Sequence, residues 1–355
     1  MARSWNARSI CLIGLVSAAW PAAGVVVAQQ KVSFVGKSVT MTIGNAGGGG
    51  TDLYGRLVGR HLMVQLPGQP SLIVLNQPGA GGVIALNSWT IRAPNDGLAI
   101  TIGAGSQCDP AALAQTKAKY DPKDFKYVGG RGGHSQALFI NNHAVERLYD
   151  KSLPPVIVGT VAGTLRGGNF QALWGAAFLG WNLKWVQGYP DSAQIRQALE
   201  RGEIDMMSVG SDSDIDYVLN LGRFKVISQT GVMRNGQPVA REDLQGAPIF
   251  ATLVEGKIKD PLAQKAFDYW NNLRQIGSWV ALPPKTPDPI VSTYVEAFNQ
   301  MSKNKAYLEE IDKLDPGAPM ATNMDLEHLM DQLSRVSPQV IDYVQAEQLR
   351  QGIGR

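Results

Sequence analysis

Four consecutive glycines, Gly47 to Gly50, run into Thr51 and Asp52, and residues of these types in this order suit the binding of an anion. Glycine removes the Cβ atoms that would hold a ligand off the backbone, and the first N–H groups of a helix have no carbonyl partner within it. A second run, Gly79, Ala80, Gly81 and Gly82, follows Pro78, and smaller ones fall at Gly103 to Ser106, Thr160 to Thr164 and Gly210 to Ser213. Thr51 and Asp52 argue against a phosphate loop, because no Lys follows the last glycine to reach a β- or γ-phosphate. One glycine loop is equally satisfied by a tight turn with no ligand, so it matters that there are several.

Other chemistries lack their residues. His61, His134, His143 and His328 are scattered, with no Cys or Glu at ligand spacing, so no metal site is expected. Asp212, Asp214 and Asp216 begin like a calcium loop, but Tyr217 stands where its Gly belongs and Arg223 where its bidentate Glu belongs. No G-x-S-x-G occurs, Ser106 has no evident histidine partner, and Cys108 is a lone thiol of the kind that usually packs. No catalytic residue and no cofactor is therefore expected, which leaves binding. Charge-assisted hydrogen bonds contribute roughly 1.5–3 kcal/mol each, so four backbone or hydroxyl donors on one carboxylate approach the ~8 kcal/mol of micromolar affinity before binding entropy is counted.

The elements that position these loops read as alternating strands and helices. Val39, Met41 and Ile43 alternate with Thr40 and Thr42, while Leu53, Leu57, Val58, Leu62 and Leu66 fall on one helical stripe. Strand, glycine loop and helix repeat at 71–76, 77–82 and 83–91, and a third strand at 98–102 ends in Gly103 to Ser106. Such alternation predicts a parallel sheet whose loops gather along its carboxyl edge, where ligands bind. After a polar, turn-rich stretch at 109–127 comes a second α/β region, with strands at 137–140, 156–159, 183–187, 204–209 and 224–228 and helices at 169–179 and 192–201. From Pro248 onward the pattern is mainly helical, with one stripe through Tyr294 and Phe298 and another through Leu326 and Leu333. These helices are expected to pack back on the first sheet.

At the amino terminus Arg3 and Arg8 precede an apolar run from Ile10 to Val27, and Val26 to Ala28 offer small residues for cleavage. Residues 1–28 thus read as a signal peptide removed on export to the periplasm. The chain carries 33 Lys and Arg against 30 Asp and Glu, a net charge of +3; without Arg3 and Arg8 it is +1. That balance speaks against a nucleic-acid partner, which needs a basic stripe. Cys11 falls in the leader, leaving Cys108 with no disulfide partner. The roughly 327 residues that remain suffice for about two domains.

Five motifs occur in an order that identifies a family: GGGGTD at Gly47 to Asp52, NQPGAGG at Asn76 to Gly82, APNDG at Ala93 to Gly97, YDPKDF at Tyr120 to Phe125 and QALERGEIDM at Gln197 to Met206. Over nearly the whole chain after the leader, it resembles the Bug family, the solute-binding proteins of tripartite tricarboxylate transporters. The resemblance implies an α/β fold, a two-domain periplasmic-binding-protein type II clamshell in which each domain is a mixed, mainly parallel sheet flanked by helices. Domain 1 is then 36–132 plus 248–350, and domain 2 is 133–247. The resemblance further implies a monomer that holds a small carboxylate ligand between the first two glycine loops and delivers it to inner-membrane transporter subunits.

Carried over position by position, Gly48, Gly49, Gly50, Thr51 and Asp52 match the first loop and Gly79, Ala80, Gly81 and Gly82 the second. Gly163 and Thr164 match the first loop of the second domain, and Thr160, Tyr189, Ser106 and Asp212 complete the expected contacts. Gly44, Asn45 and Gly47 depart from the aromatic and proline residues usual before the glycines, and Gln77 replaces an arginine. Gly188, Tyr189, Pro190 and Asp191 stand where Pro-Tyr-Lys-Gly is usual, keeping only the tyrosine. Asn45, counted among the contacts, and Asp191 point to a ligand whose second end is polar or cationic; Arg166 is a further candidate. Two alternatives stay open: a sensing module that signals to a membrane receptor, and an exported enzyme using Cys108 or Ser106.

Overall fold

The computed structural model describes residue 1 and residues 32–116, 118–161, 165, 167–189, 192–210, 212–234, 237–314, 317 and 319–354. Most of the expected signal peptide lies outside the described residues. The first half of the chain contributes β1 (Ser38–Ile43), α1 (Gly50–Gln65), β2 (Ser71–Asn76), α2 (Val83–Arg92), β3 (Ala99–Ala104), α3 (Pro110–Thr116), β4 (Lys126–Gly132), β5 (Ala137–Asn141), α4 (Val145–Tyr149) and β6 (Val156–Val161). Next come α5 (Asn169–Phe178), β7 (Leu183–Tyr189), α6 (Ser192–Arg201), β8 (Met206–Val209), α7 (Asp212–Asn220), β9 (Phe224–Gln229) and the hairpin β10 (Val232–Arg234) and β11 (Gln237–Val239). The chain then adds α8 (Phe250–Val254), α9 (Pro261–Leu273), β12 (Ile276–Leu282), α10 (Asp288–Met301), α11 (Lys305–Leu314), β13 (Met320–Thr322), α12 (Asn323–Ser334) and α13 (Pro338–Arg350).

Two sheets organise these elements: one ordered β13-β4-β12-β3-β1-β2, the other β7-β6-β8-β5-β9. Among the described strands, parallel ladders join β1 with β2 and β3, and β6 with β7 and β8. The remaining pairs are antiparallel, so both sheets are mixed and less parallel than strand–helix alternation implies. The difference comes from two strands whose sequences hide them. β12, IGSWVAL, lies in the stretch expected to be mainly helical, and β4, KYVGGRG, at the end of the one expected to be irregular. Glycine is a poor strand former, but a Cβ at Gly129 would overlap the Phe298 ring and one at Gly130 the Ser278 carbonyl oxygen. The close approach of α10 and β12 therefore decides those residues.

Val39, Met41 and Ile43 are fully buried in the first sheet, under Leu57, Val58 and Leu62 of α1 and Tyr294 and Phe298 of α10. Leu53, placed on the α1 stripe by its spacing, is 45% exposed, and Tyr54 is buried instead. α10 and α12 cover the first sheet, as expected of the carboxy-terminal helices, and α11 packs on α1. α8, α9 and α13 differ: they pack against α5, through rings that include Trp174, Phe250, Phe267 and Trp270. The chain end is tied to the second sheet. Gln187 on β7 donates to the Gly352 carbonyl at 2.8 Å and accepts from the Gly354 amide at 2.9 Å. No described helix is long and apolar enough to cross a membrane.

Candidate functional site

β1 and β2 are parallel neighbours in register, Ile43 opposite Asn76, so the loops that follow them lie side by side at one sheet edge. In the first loop, Gly49 is the N-cap of α1 at φ −78°, a conformation open to any residue, while Gly48 takes φ +83°. Asp52 points back under this loop and is 2% exposed. Its carboxylate accepts the Gly48 amide at 2.8 Å, the Asn76 amide at 2.8 Å and the Arg56 Nε at 3.0 Å. Burial pushes this carboxyl up, but the hydrogen bonds from Arg56, Gly48 and Asn76 outweigh it and hold the carboxyl at about 2. Asp52 is therefore an internal brace, which differs from the expected ligand contact. Asn76, which the sequence reading left out, also donates to the Asn45 carbonyl at 3.0 Å and so joins the two loops.

The second loop is unusual in conformation. Gly79, Ala80, Gly81 and Gly82 all have positive φ, at 147°, 47°, 63° and 93°. Gly82 is the N-cap of α2, whose first turn holds neither an acidic residue nor a side-chain cap. The loop after β3 closes in from the other side. Ser106, the expected contact, is exposed, whereas its neighbour Gln107 is 1% exposed. The Gln107 Oε1 accepts the Ala104 amide at 2.8 Å, and its Nε2 rests against the backbones of Gly82 and Gly44. A Cβ at Gly44 would lie 3.0 Å from that nitrogen and 2.6 Å from the Gly82 Cα. The only trace of Gln107 in the sequence is an amide placed directly after the Gly103 to Ser106 run.

In the second sheet, Thr160 near the end of β6 is fully buried and accepts from Asn169 Nδ2 at 3.4 Å. Tyr189 ends β7 rather than standing in a turn, and it packs beside the apolar cluster of Ile195, Ala198 and Leu199. Gly163, Thr164, Arg166 and Asp191 lie outside the described residues, as does the side chain of Asp212 at the start of α7. A polar network that was not expected lies beneath: Gln171 donates to the Gln136 carbonyl at 3.1 Å and accepts from Ser228 Oγ at 2.9 Å, while the Gln136 amide donates to Thr230 Oγ1 at 2.9 Å.

Cys108 is buried, and burial pushes its thiol up to about 12, so it is protonated near neutral pH. A nucleophilic cysteine needs the opposite shift. Asp214, part of the calcium-like spacing, pairs with Arg196. Among the described residues no group of three or more His, Cys, Asp or Glu gathers as a metal would require.

No family model matches the chain, and no curated protein matches it in sequence. Solved structures do. A TctC solute-binding protein from Polaromonas is similar at a TM-score of 0.63 and 17% identity, the match covering 86% of this chain and 100% of that one. The periplasmic binding protein BugD is similar at 0.52 and 20%, over 90% and 99% of the two chains. MatC from Rhodopseudomonas palustris, determined with bound malate, is similar at 0.51 and 21%, over 86% and 99%. Identities this low carry the fold alone. The structural neighbours of the chain are TctC and Bug-family solute-binding proteins, and it has their two-domain α/β fold.

Proposed function

We propose that the chain is a Bug-family periplasmic solute-binding protein that captures a small carboxylate between its two domains and passes it to a tripartite tricarboxylate-type membrane transporter. The observation that carries this reading is the pair of glycine loops at the ends of the parallel neighbours β1 and β2, each opening a helix. Glycine backbone at the start of a helix, with no Cβ to hold a ligand off it, suits a carboxylate. That MatC was determined with malate supports the ligand class. In this reading the protein is a monomer, non-enzymatic, with its leader cleaved near Ala28.

The domains are 36–132 with 248–350 and 133–247. The strands support this division, since β12 and β13 return to the first sheet. α9 touches both α12 and α13, and α13 touches α5. A thermal-shift screen of mono-, di- and tricarboxylates, amino acids and aromatic acids tests the function, since any ligand that binds only the folded state raises the melting temperature. Stabilisation by at least one acid class is expected; no shift with any of them, after co-purified ligand is stripped, overturns the reading.

A further inference from the structure

The starts of α1 and α2 differ in a way that separates their roles. α1 carries its own anion: Asp52, in the first turn, accepts the Gly48 amide and is ionised well below neutral pH. An internal carboxylate already offsets the positive end of that helix dipole. α2 has ten residues, no acidic residue in its first turn and no side-chain cap, so its positive end is not offset in that way.

A second observation lies at the same point. The Gln107 amide is oriented by the Ala104 N–H, which needs an acceptor and so fixes Oε1 on its own side. The NH2 group then faces Gly82, the N-cap of α2, and among the described residues Nε2 has no hydrogen-bond partner. A buried donor without an acceptor costs roughly 1–3 kcal/mol, so the position favours whatever supplies one. Its neighbours at Gly82 and Gly44 are glycine backbone with no side chain. Gly82 carries no Cβ, and one there would overlap Nε2.

We propose that the carboxylate is held at the start of α2, and that Gln107 is a ligand-binding residue whose Nε2 donates to a carboxylate oxygen there as residues 79–82 adjust around it. The first loop then serves to position the second through the Asp52, Arg56 and Asn76 brace. The ligand class that fits is a carboxylate with both oxygens free to accept; an ester or amide of the same acid loses the charge that the end of α2 favours.

This inference rests on the carboxylate-binding reading, and calorimetry with malate as the probe separates the two. If the wild-type protein binds neither malate nor any other acid of the screen, the reading itself fails. If it binds, Gln107→Glu is the decisive variant, because it keeps the acceptor for Ala104 and turns the donor into an oxygen. The expected result is a loss of affinity of about tenfold or more. The gap to wild type should narrow between pH about 8 and about 6, as a buried Glu facing an anion gains a proton and becomes a donor. A Gln107→Glu affinity within about threefold of wild type overturns the proposal, as does a loss that is constant with pH and matched by a fall in the melting temperature of the ligand-free protein. Should Gln107→Glu not fold, Gln107→Met, of similar length and without a donor, must show the same tenfold loss, and near-wild-type affinity in it is equally fatal.

Discussion

Arg56 folds back one helical turn onto Asp52, its Nε 3.0 Å from both carboxylate oxygens. Its Nη2 continues to Asn76 Oδ1 at 2.9 Å, so one guanidinium ties the first glycine loop to the end of β2. The folded carboxyl at about 2 lies below its ordinary 3.8, which means the unfolded chain binds more protons across that interval. The stability from this carboxylate is therefore complete above about pH 4 and is lost as pH falls towards 2. Asp52→Asn should cost roughly 1–2 kcal/mol at neutral pH, discounted because Arg56 is half exposed and water weakens the pairing. Urea unfolding at several pH values is the measurement, and the difference from wild type should shrink towards pH 2.

The glycines are not equivalent. Gly82 combines φ +93° with a Cβ position already filled by the Gln107 amide, so Gly82→Ala is expected to destabilise by roughly 2–4 kcal/mol. Gly48, at φ +83° with open space around it, should lose only about 1 kcal/mol on the same change. Gly49, at φ −78°, should accept Ala within about 0.5 kcal/mol. Urea midpoints of the three variants test this order, and a Gly49→Ala as costly as Gly82→Ala would refute it.

Carboxylate capture makes a separate demand of Gly81→Val, in the second loop. It should fold, at a cost of roughly 1–2 kcal/mol for its φ of +63°, and should bind malate more weakly by calorimetry. Unchanged affinity in it would remove the second loop from the site.

Gln351 fastens the chain end. It donates to the Leu173 carbonyl at 3.0 Å and accepts from the Trp185 indole at 3.1 Å. Gln351→Ala leaves those two groups without their partner, at an expected cost of roughly 1–3 kcal/mol. Hydrogen exchange should speed up in β7 and α5 and stay unchanged in β1 to β3.

The two-domain reading implies movement where the chain crosses between the sheets. There the Gly133 amide donates to the Gln275 carbonyl at 2.9 Å, and a Cβ at Gly133 would overlap the Arg274 carbonyl oxygen. Saturating malate should lower the radius of gyration in X-ray scattering. A radius that stays constant while calorimetry reports binding would mean a rigid binder.

Local pattern alone was enough to place the two glycine loops. Alternating Val39, Met41 and Ile43 and the apolar run at 71–76 mark strands, and a glycine run followed by an amphipathic stretch marks a loop opening a helix; these signals depend only on near neighbours in sequence. The ordered motifs likewise led to the fold that the structure has. Position 53 shows the limit of periodicity: the stripe points to Leu53, but on this helix, which packs against α10 and α11, Tyr54 is buried instead. β4 and β12 were hidden because their residues answer to elements far away in sequence, Gly129 to Phe298 and Gly130 to Ser278. The inward turn of Asp52, the joining role of Asn76 and the burial of Gln107 beside Gly82 came from tertiary structure alone. Each depends on loops from three strands meeting at one sheet edge, and no spacing along the chain records that meeting.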